Sequence, residues 1–377
     1  MKLFYGNFDF EAGLTGQSAS APAVRRIQAE LATAWIAVAD EGDAIWCPEP
    51  IPPEFWDGLV AQGLSRVIAI GPGATVPREA EFVPWGWNPD AVVWARRHGL
   101  TPAPPPLDIV RAANSRQFSF VMEQETGTAL TGSAECRTWE DLAACTRELG
   151  DARWVIKAQY SHAARERLLG HGPPNETAEQ WARKRIARDG AVYLEPWVER
   201  IAEVGVQWDL RAGNAPQLVG VTPLLCHPDG RYLGSLFRSA KTERWWDEAV
   251  DGTRPVAERL TRDGYFGPLG IDAMLYRDGA AKRVRPIQDI NARWTMGRLS
   301  LGWRRLPHQD ADGLWLHGEI PQDLVNAASR ILAVTPPKIG GHLTSHCTTV
   351  LSSQGFHGET GFGPGFHCGT FPIRHDD

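Results

Sequence analysis

Residues 285–300 read RPIQDINARWTMGRLS. The stretch opens as a strand, Val284 to Ile290, with apolar residues at Val284, Ile287 and Ile290. At the strand's end Asp289, Asn291 and Arg293 stand at every second position, which on an extended chain is one face. An acid, an amide and a guanidinium in one row ask for a ligand that takes oxygen donors and a fixed positive charge.

The preceding segment supplies a partner. GPLGIDAML (267–275) is a second strand signal and carries Asp272. The two strands form a hairpin, Leu269–Tyr276 and Val284–Ile290, with a turn near Asp278-Gly279. If Asp272 faces Asp289, the turn centres between Ala280 and Ala281, inside the polar stretch Arg277–Arg283. Two carboxylates and the Asn291 amide oxygen then make an oxygen-rich patch suited to Mg2+, which takes one or two carboxylates and leaves room for waters and phosphates. The plain alternative is two unrelated polar strand ends.

Further upstream, WVIKA (154–158) ends a short apolar strand on Lys157 and runs into QYSHAARERLLGHG. A lysine followed by small residues and arginines suits phosphate, as a point charge beside backbone N–H groups. Read alone, it is a strand-end lysine snorkelling to solvent. YLEPW (193–197) joins two halves of the chain. Glu195 there can accept from an amino group, Trp197 can wall a planar ring, and Glu203 stands where ribose hydroxyls would lie. Read alone, it is a hinge whose proline ends a strand.

Taken in order, WVIKA, YLEPW, GPLGIDAML and IQDINARWTMG resemble the ATP-grasp superfamily, to which D-alanine–D-alanine ligases and biotin carboxylases belong. The resemblance covers roughly residues 105–300. It implies an α/β chain with α+β lobes: an N-terminal Rossmann-like pre-ATP-grasp domain at 1–104, a small lobe with the phosphate loop at 105–195, and a large lobe with the metal site at 196–335. A Gly/His/Cys-rich extension occupies 336–377. By position, the resemblance implies Lys157 on the α/β phosphates and Glu195 with the backbone near Trp197 on adenine. It puts Glu203 on ribose, and Asp272, Asp289 and Asn291 on Mg2+, with Mn2+ as a substitute metal. Arg293 would stabilise the transferring phosphoryl group or the later tetrahedral intermediate. Three positions depart from the pattern. Arg116, in NSRQFSF, stands where relatives carry a lysine. Asp289 stands where Glu is commoner. The loop Ser161-His162-Ala163-Ala164-Arg165 lacks the usual glycines, with Arg165 or Arg167 adding charge. Residues 160–172 would form a lid flanked by Gly170, Gly172, Pro173 and Pro174.

The implied activity is an ATP-dependent carboxylate–amine ligase working through an acylphosphate on a small acid, amino acid or short peptide. Arg211, Arg238 and Arg298 are candidates for holding a substrate carboxylate, each equally readable as a surface arginine. Two alternatives stay open: a nucleotide-binding sensor or scaffold without turnover, and a small-molecule kinase.

The rest of the chain fits this frame. Its 377 residues, 43% hydrophobic and 22% charged with a net charge of -6, describe a chain with real cores and no bulk positive charge, against nucleic-acid binding. No run reaches a membrane span, no leader is evident at MKLFYGNFDF, and six irregularly spaced cysteines read as reduced thiols. These features point to the cytoplasm. The oligomeric state is left open, a homodimer included. Strand and helix signals alternate over the first hundred residues, favouring a small α/β domain with a parallel sheet. They include a buried strand at Arg66–Ile70 and a helix over Asn88–His98 capped by Asn88. TPAPPPLD (101–108) is a linker. Helices are expected over Asp108–Glu125, Thr138–Leu149, Thr177–Asp189, Pro255–Asp263 and Pro321–Ala333. The tail holds His342, His346, Cys347, His357, His367 and Cys368. His342 and His346 fit one helix face and with Cys347 and Cys368 suggest zinc, but the glycines favour a loop-rich extension packed on the core or over the site mouth.

Overall fold

The structure is a computed structural model that describes residues 1–15, 22–160, 166–227, 230–237, 243–306, 312–318, 320, 322–328, 330–344 and 347–353. It is a mixed α/β chain in two compact units. One gathers the chain up to Leu107, the segment beginning at Gly220, and the chain from Arg293 onward. The other holds Asp108–Val219 and Glu243–Ala292. Each unit is assembled from separated stretches of the chain.

In the first unit a four-stranded parallel sheet runs in the order Ile68–Ile70, Ala44–Trp46, Lys2–Tyr5, Glu81–Pro84. Leu3, Ala44, Ile70 and Phe82 pack there against Ala91 and Ala95 of the helix Pro89–Arg97. That helix starts as expected: the Asn88 side chain accepts from Ala91 N–H at 2.8 Å, and Pro89 follows. The strand expected to be buried at Arg66–Ile70 lies instead at the sheet edge, with Ile68 45% exposed. The strand Glu81–Pro84 was not foreseen.

The same unit holds antiparallel strands Tyr232–Phe237, Asp312–His317, Thr348–Ser353 and Arg330–Ala333, neighbours in that order. Two expectations change here. Residues expected as one helix over 321–333 divide into the helix Gln322–Ala327 and the strand Arg330–Ala333. The tail, expected to be loop-rich, contributes a strand that pairs on both sides.

In the second unit, Ala134–Cys136, Val192–Pro196, Arg153–Lys157 and Arg167–His171 form an antiparallel sheet in that order. Cys136, Trp154, Ile156, Val192 and Leu194 pack against Leu142, Ala178 and Ala182 of helices Trp139–Glu148 and Glu176–Asp189. The first of these helices opens with the expected box: Thr138 and Asp141 each bond the other's backbone N–H at 3.0 Å. The second is capped by Asn175 rather than begun at Thr177. Three further strands, Glu199–Leu210, Gly267–Asp278 and Ala281–Asn291, pair antiparallel with Gly267–Asp278 in the middle. Along Glu199–Leu210 the period-two face Val204, Val206, Trp208 and Leu210 is buried. Behind it lies the helix Arg244–Arg262, whose Thr253 hydroxyl accepts from Trp208 Nε1 at 3.2 Å. Pro255, expected to start that helix, sits inside it.

The single helix expected over Asp108–Glu125 is two, Leu107–Ala113 and Arg116–Thr126. Ser115 breaks it. Its hydroxyl accepts from Phe118 N–H at 3.1 Å and so caps the second helix. Among the described residues no helix is long and apolar enough to cross a membrane.

Candidate active site

The hairpin places Asp272 directly opposite Asp289, and Gly270 opposite Asn291. The turn falls at Gly279-Ala280, between the paired residues Asp278 and Ala281, with Gly279 at a φ of 60°. Continued from there without interruption, the register would set Asp272 against Ile287. A bulge restores the pairing of the acids: between Asp272–Asp289 and Met274–Arg285, Ala273 alone faces Pro286, Ile287 and Gln288. Pro286 has no N–H to offer a ladder and suits that position. On the other side of the central strand Asp272 pairs with Gly205, and Met274 with Glu203. Alternation therefore gathers Glu203, Asp272, Asp289 and Asn291 on one face, while Val204, Val206, Ile271 and Ile290 fill the opposite one.

Arg116, the first residue of its helix, is 8% exposed and reaches this face. It donates from Nη1 to the Gln288 carbonyl at 3.0 Å and lies 3.4 Å from Asp289 Oδ1. The capping break at Ser115 is what puts its side chain there. Glu203 accepts from Gln288 Nε2 at 2.9 Å and from Arg200 Nη1 at 3.1 Å.

Lys157 ends its strand beside Glu195 on the neighbouring one. Its ammonium donates to Glu195 Oε2 at 2.7 Å, and Arg285 Nη1 donates to the same oxygen at 2.8 Å. Arg285 also grips Glu123 with two parallel bonds, Nε to Oε1 at 2.5 Å and Nη2 to Oε2 at 2.9 Å. Burial lowers the Lys157 ammonium to about 8, against the pull of Glu195. Burial also acts to raise the Glu195 carboxyl, but Arg285 and Lys157 outweigh it and hold that group well below the usual carboxylate range. Glu123 goes the other way: burial raises it and Arg285 offsets only part.

The remaining expected residues fall elsewhere. Trp197 N–H donates to the Arg153 carbonyl at 2.8 Å, and the guanidinium groups of Arg153 and Arg167 lie over its ring at 5.8 and 5.9 Å. The strand ends at Asn291, so Arg293 does not continue the row. Arg293 belongs to the first unit, where Nη2 meets Glu11 Oε1 at 2.5 Å and the group lies over Trp85 at 5.6 Å. Arg211 is exposed, and Arg298 lies over Trp294. Arg165 and Arg238 lie outside the described residues, as do positions 161–164 of the expected lid. His342 is in a short strand, not on a helix, while His346, His357, His367 and Cys368 lie outside the described residues. Among the described residues no three His, Cys, Asp or Glu side chains are grouped to hold a metal, and Cys47, Cys136, Cys145 and Cys347 are free thiols. The donor set at the hairpin is two carboxylates and an amide, which suits Mg2+ and not zinc.

Sequence reasoning missed Glu123 and Arg285. A faint signal existed for the first: Arg116, Ser119 and Glu123 recur at helical spacing, marking a polar stripe on a helix face that is in fact buried.

No protein-family model and no curated protein matches the sequence. Solved structures do match. The N5-carboxyaminoimidazole ribonucleotide synthetase of Thermus thermophilus superposes with a TM-score of 0.52 at 15% identity, over 94% of each chain. The ADP complex of the purK enzyme of the same name gives 0.52 at 13% identity, over 93% of this chain and 91% of that one. The biotin carboxylase domain of Hydrogenobacter thermophilus 2-oxoglutarate carboxylase gives 0.53 at 11% identity, over 77% of each chain. The chain has the ATP-grasp fold.

Proposed function

We propose that this chain is an ATP-dependent ligase that joins a small carboxylate to an amine through an acylphosphate, releasing ADP and phosphate. The observation that carries the reading is the opposed pair Asp272 and Asp289, with Asn291 in register, on the polar face of the hairpin. Support comes from two of the solved neighbours, crystallised as an ADP complex and with MgADP and bicarbonate.

Asp272, Asp289 and Asn291 would hold Mg2+, which supplies charge neutralisation for the phosphates. Arg116 and Lys157 provide the fixed cations beside them. The substrate carboxylate attacks the γ-phosphorus as the bond to ADP breaks. The amine then attacks the acyl carbon, phosphate leaves, and the amine proton passes to solvent. Protein groups position, neutralise and exclude water. Glu203 keeps lone pairs beyond those given to Gln288 and Arg200, so it remains the proposed ribose acceptor. Glu195 enters as the counter-ion of Lys157 rather than as an acceptor for adenine. Arg293, engaged by Glu11, is not assigned a step. The free thiols agree with the reducing, cytoplasmic setting we propose.

The test is release of ADP and phosphate from Mg-ATP across a panel of carboxylic acids and amines, with the joined product identified by mass spectrometry. Asp289→Asn and Lys157→Ala should stay folded and lose on the order of 100-fold or more in turnover. Wild-type rates in either would overturn the site. Nucleotide binding without turnover across the panel would overturn the ligase reading.

A further inference from the structure

The run Glu123–Arg285–Glu195–Lys157 is a line of alternating buried charges, with side chains 3%, 2%, 7% and 13% exposed. Burying four charges is expensive, and apolar residues of similar volume would stabilise a fold as well or better. Stability alone therefore gives no reason to keep the run. Its geometry gives one. Arg285 spends two donors on Glu123 and a third on Glu195 Oε2, the same oxygen that receives Lys157. A lysine has a flexible four-carbon stem and locates its charge poorly on its own. Here that charge rests on an oxygen pinned by a rigid fork, and the fork is clamped in turn by a carboxylate, Glu123, on the helix Arg116–Thr126.

We infer that Arg285 and Glu123 are positioning residues that act through Glu195 to fix the Lys157 ammonium where it meets nucleotide phosphate. The inference rests on the ligase reading, since it needs a phosphate for Lys157 to meet. Charged groups from three elements act on that ammonium: Glu195 from the adjacent strand, Arg116 from the helix it opens, and Arg285 from the hairpin. Arg167 and Tyr193 are its cross-strand partners. Arg285 opposes the proton on Lys157, so removing it raises the pH at which that proton leaves.

Removing Arg285 alone leaves two buried acids against Lys157 and Arg116, a variant prone to unfold. The test therefore uses the charge-balanced double variant Glu123→Met/Arg285→Met, with Arg285→Lys as the conservative comparison. Two quantities are read: Mg-ATP affinity by calorimetry near pH 7, where Lys157 is charged in every form, and the Lys157 titration midpoint by competitive acetylation mapped by mass spectrometry. The double variant should fold, bind Mg-ATP about tenfold more weakly, and show a midpoint moved upward from about 8, because Arg285 shares an oxygen with Lys157 while Glu123, whose loss acts the other way, stands one residue further along the run. Arg285→Lys, which keeps charge but not the fork, should recover the midpoint and not the affinity. A folded double variant with wild-type affinity and midpoint overturns the inference alone. Wild-type protein that binds no Mg-ATP overturns the functional reading and the inference with it.

Discussion

Lys157 carries its charge under tension between burial and a bound carboxylate, and the balance leaves its proton near pH 8. If that ammonium meets phosphate, Mg-ATP affinity should hold below this point and fall as pH rises through it, since the neutral amine loses its attraction. Lys157→Arg should flatten the profile, because arginine stays charged. Calorimetry between about pH 6.5 and 9.5 checks this, and a wild-type profile flat across about 8 would remove Lys157 from the phosphate role. Stability runs the opposite way. The folded state holds this proton less tightly than an unfolded lysine at 10.5, so this group makes folding more favourable as pH climbs from about 8 toward 10.5. Lys157 and Asp289 could be singled out from sequence because each stands at or near the end of a strand, and Asp272 because it interrupts the apolar run GPLGIDAML. Glu123 and Arg285 could not. They are 162 positions apart, and nothing local to either shows that one will grip the other.

At the scale of elements, the long periodic strands were legible because one face of each had to be apolar. The failures came where a local rule met a tertiary contact. Proline usually opens a helix, which made Pro255 a natural start. The buried face instead runs back through Thr253 and Ala249 to Trp245, and packing carries the helix through its proline. The break before Arg116 was hidden because Asn114 and Ser115 interrupt no apolar stripe; its use appears only when Arg116 meets Asp289. One contact in this region ties helix to hairpin. A side chain at Gly252 would place its first carbon 2.5 Å from Cβ of Pro286, in the bulge that sets Asp272 against Asp289. Gly252→Ala gains about 1 kcal/mol of helix propensity against the overlap, whereas Gly252→Val adds bulk and should cost about 2 kcal/mol or more. Urea denaturation of the two variants decides it. Equal stability for Val and Gly would mean that helix and bulge are not in close contact.

For the whole molecule, chain order and spatial order part company. Each compact unit is assembled from separated segments: the break between Leu107 and Asp108 lies at the proline-rich linker, while those after Val219 and Ala292 have no linker to mark them. The tail shows the consequence most clearly. Its glycines and scattered histidines suggested a loop-rich extension, packed on the core or over the site mouth, and the short run Thr348–Ser353 offered too few residues to mark a strand without its partners. In the fold that run lies between Asp312–His317 and Arg330–Ala333, and its removal would leave both with an open edge. Leu351 is fully buried there, packed with Leu314, Leu316 and Leu324. Leu351→Ala should therefore cost about 2–5 kcal/mol, the range for emptying a packed leucine site. Leu343→Ala, in the same tail but 68% exposed, should stay within about 0.5 kcal/mol of wild type. Chemical denaturation of the full chain compares them directly. If both variants match wild type, the tail is a covering after all. If only Leu351→Ala is destabilised, residues near the C-terminal end of the described chain are part of the core on which the first unit is built.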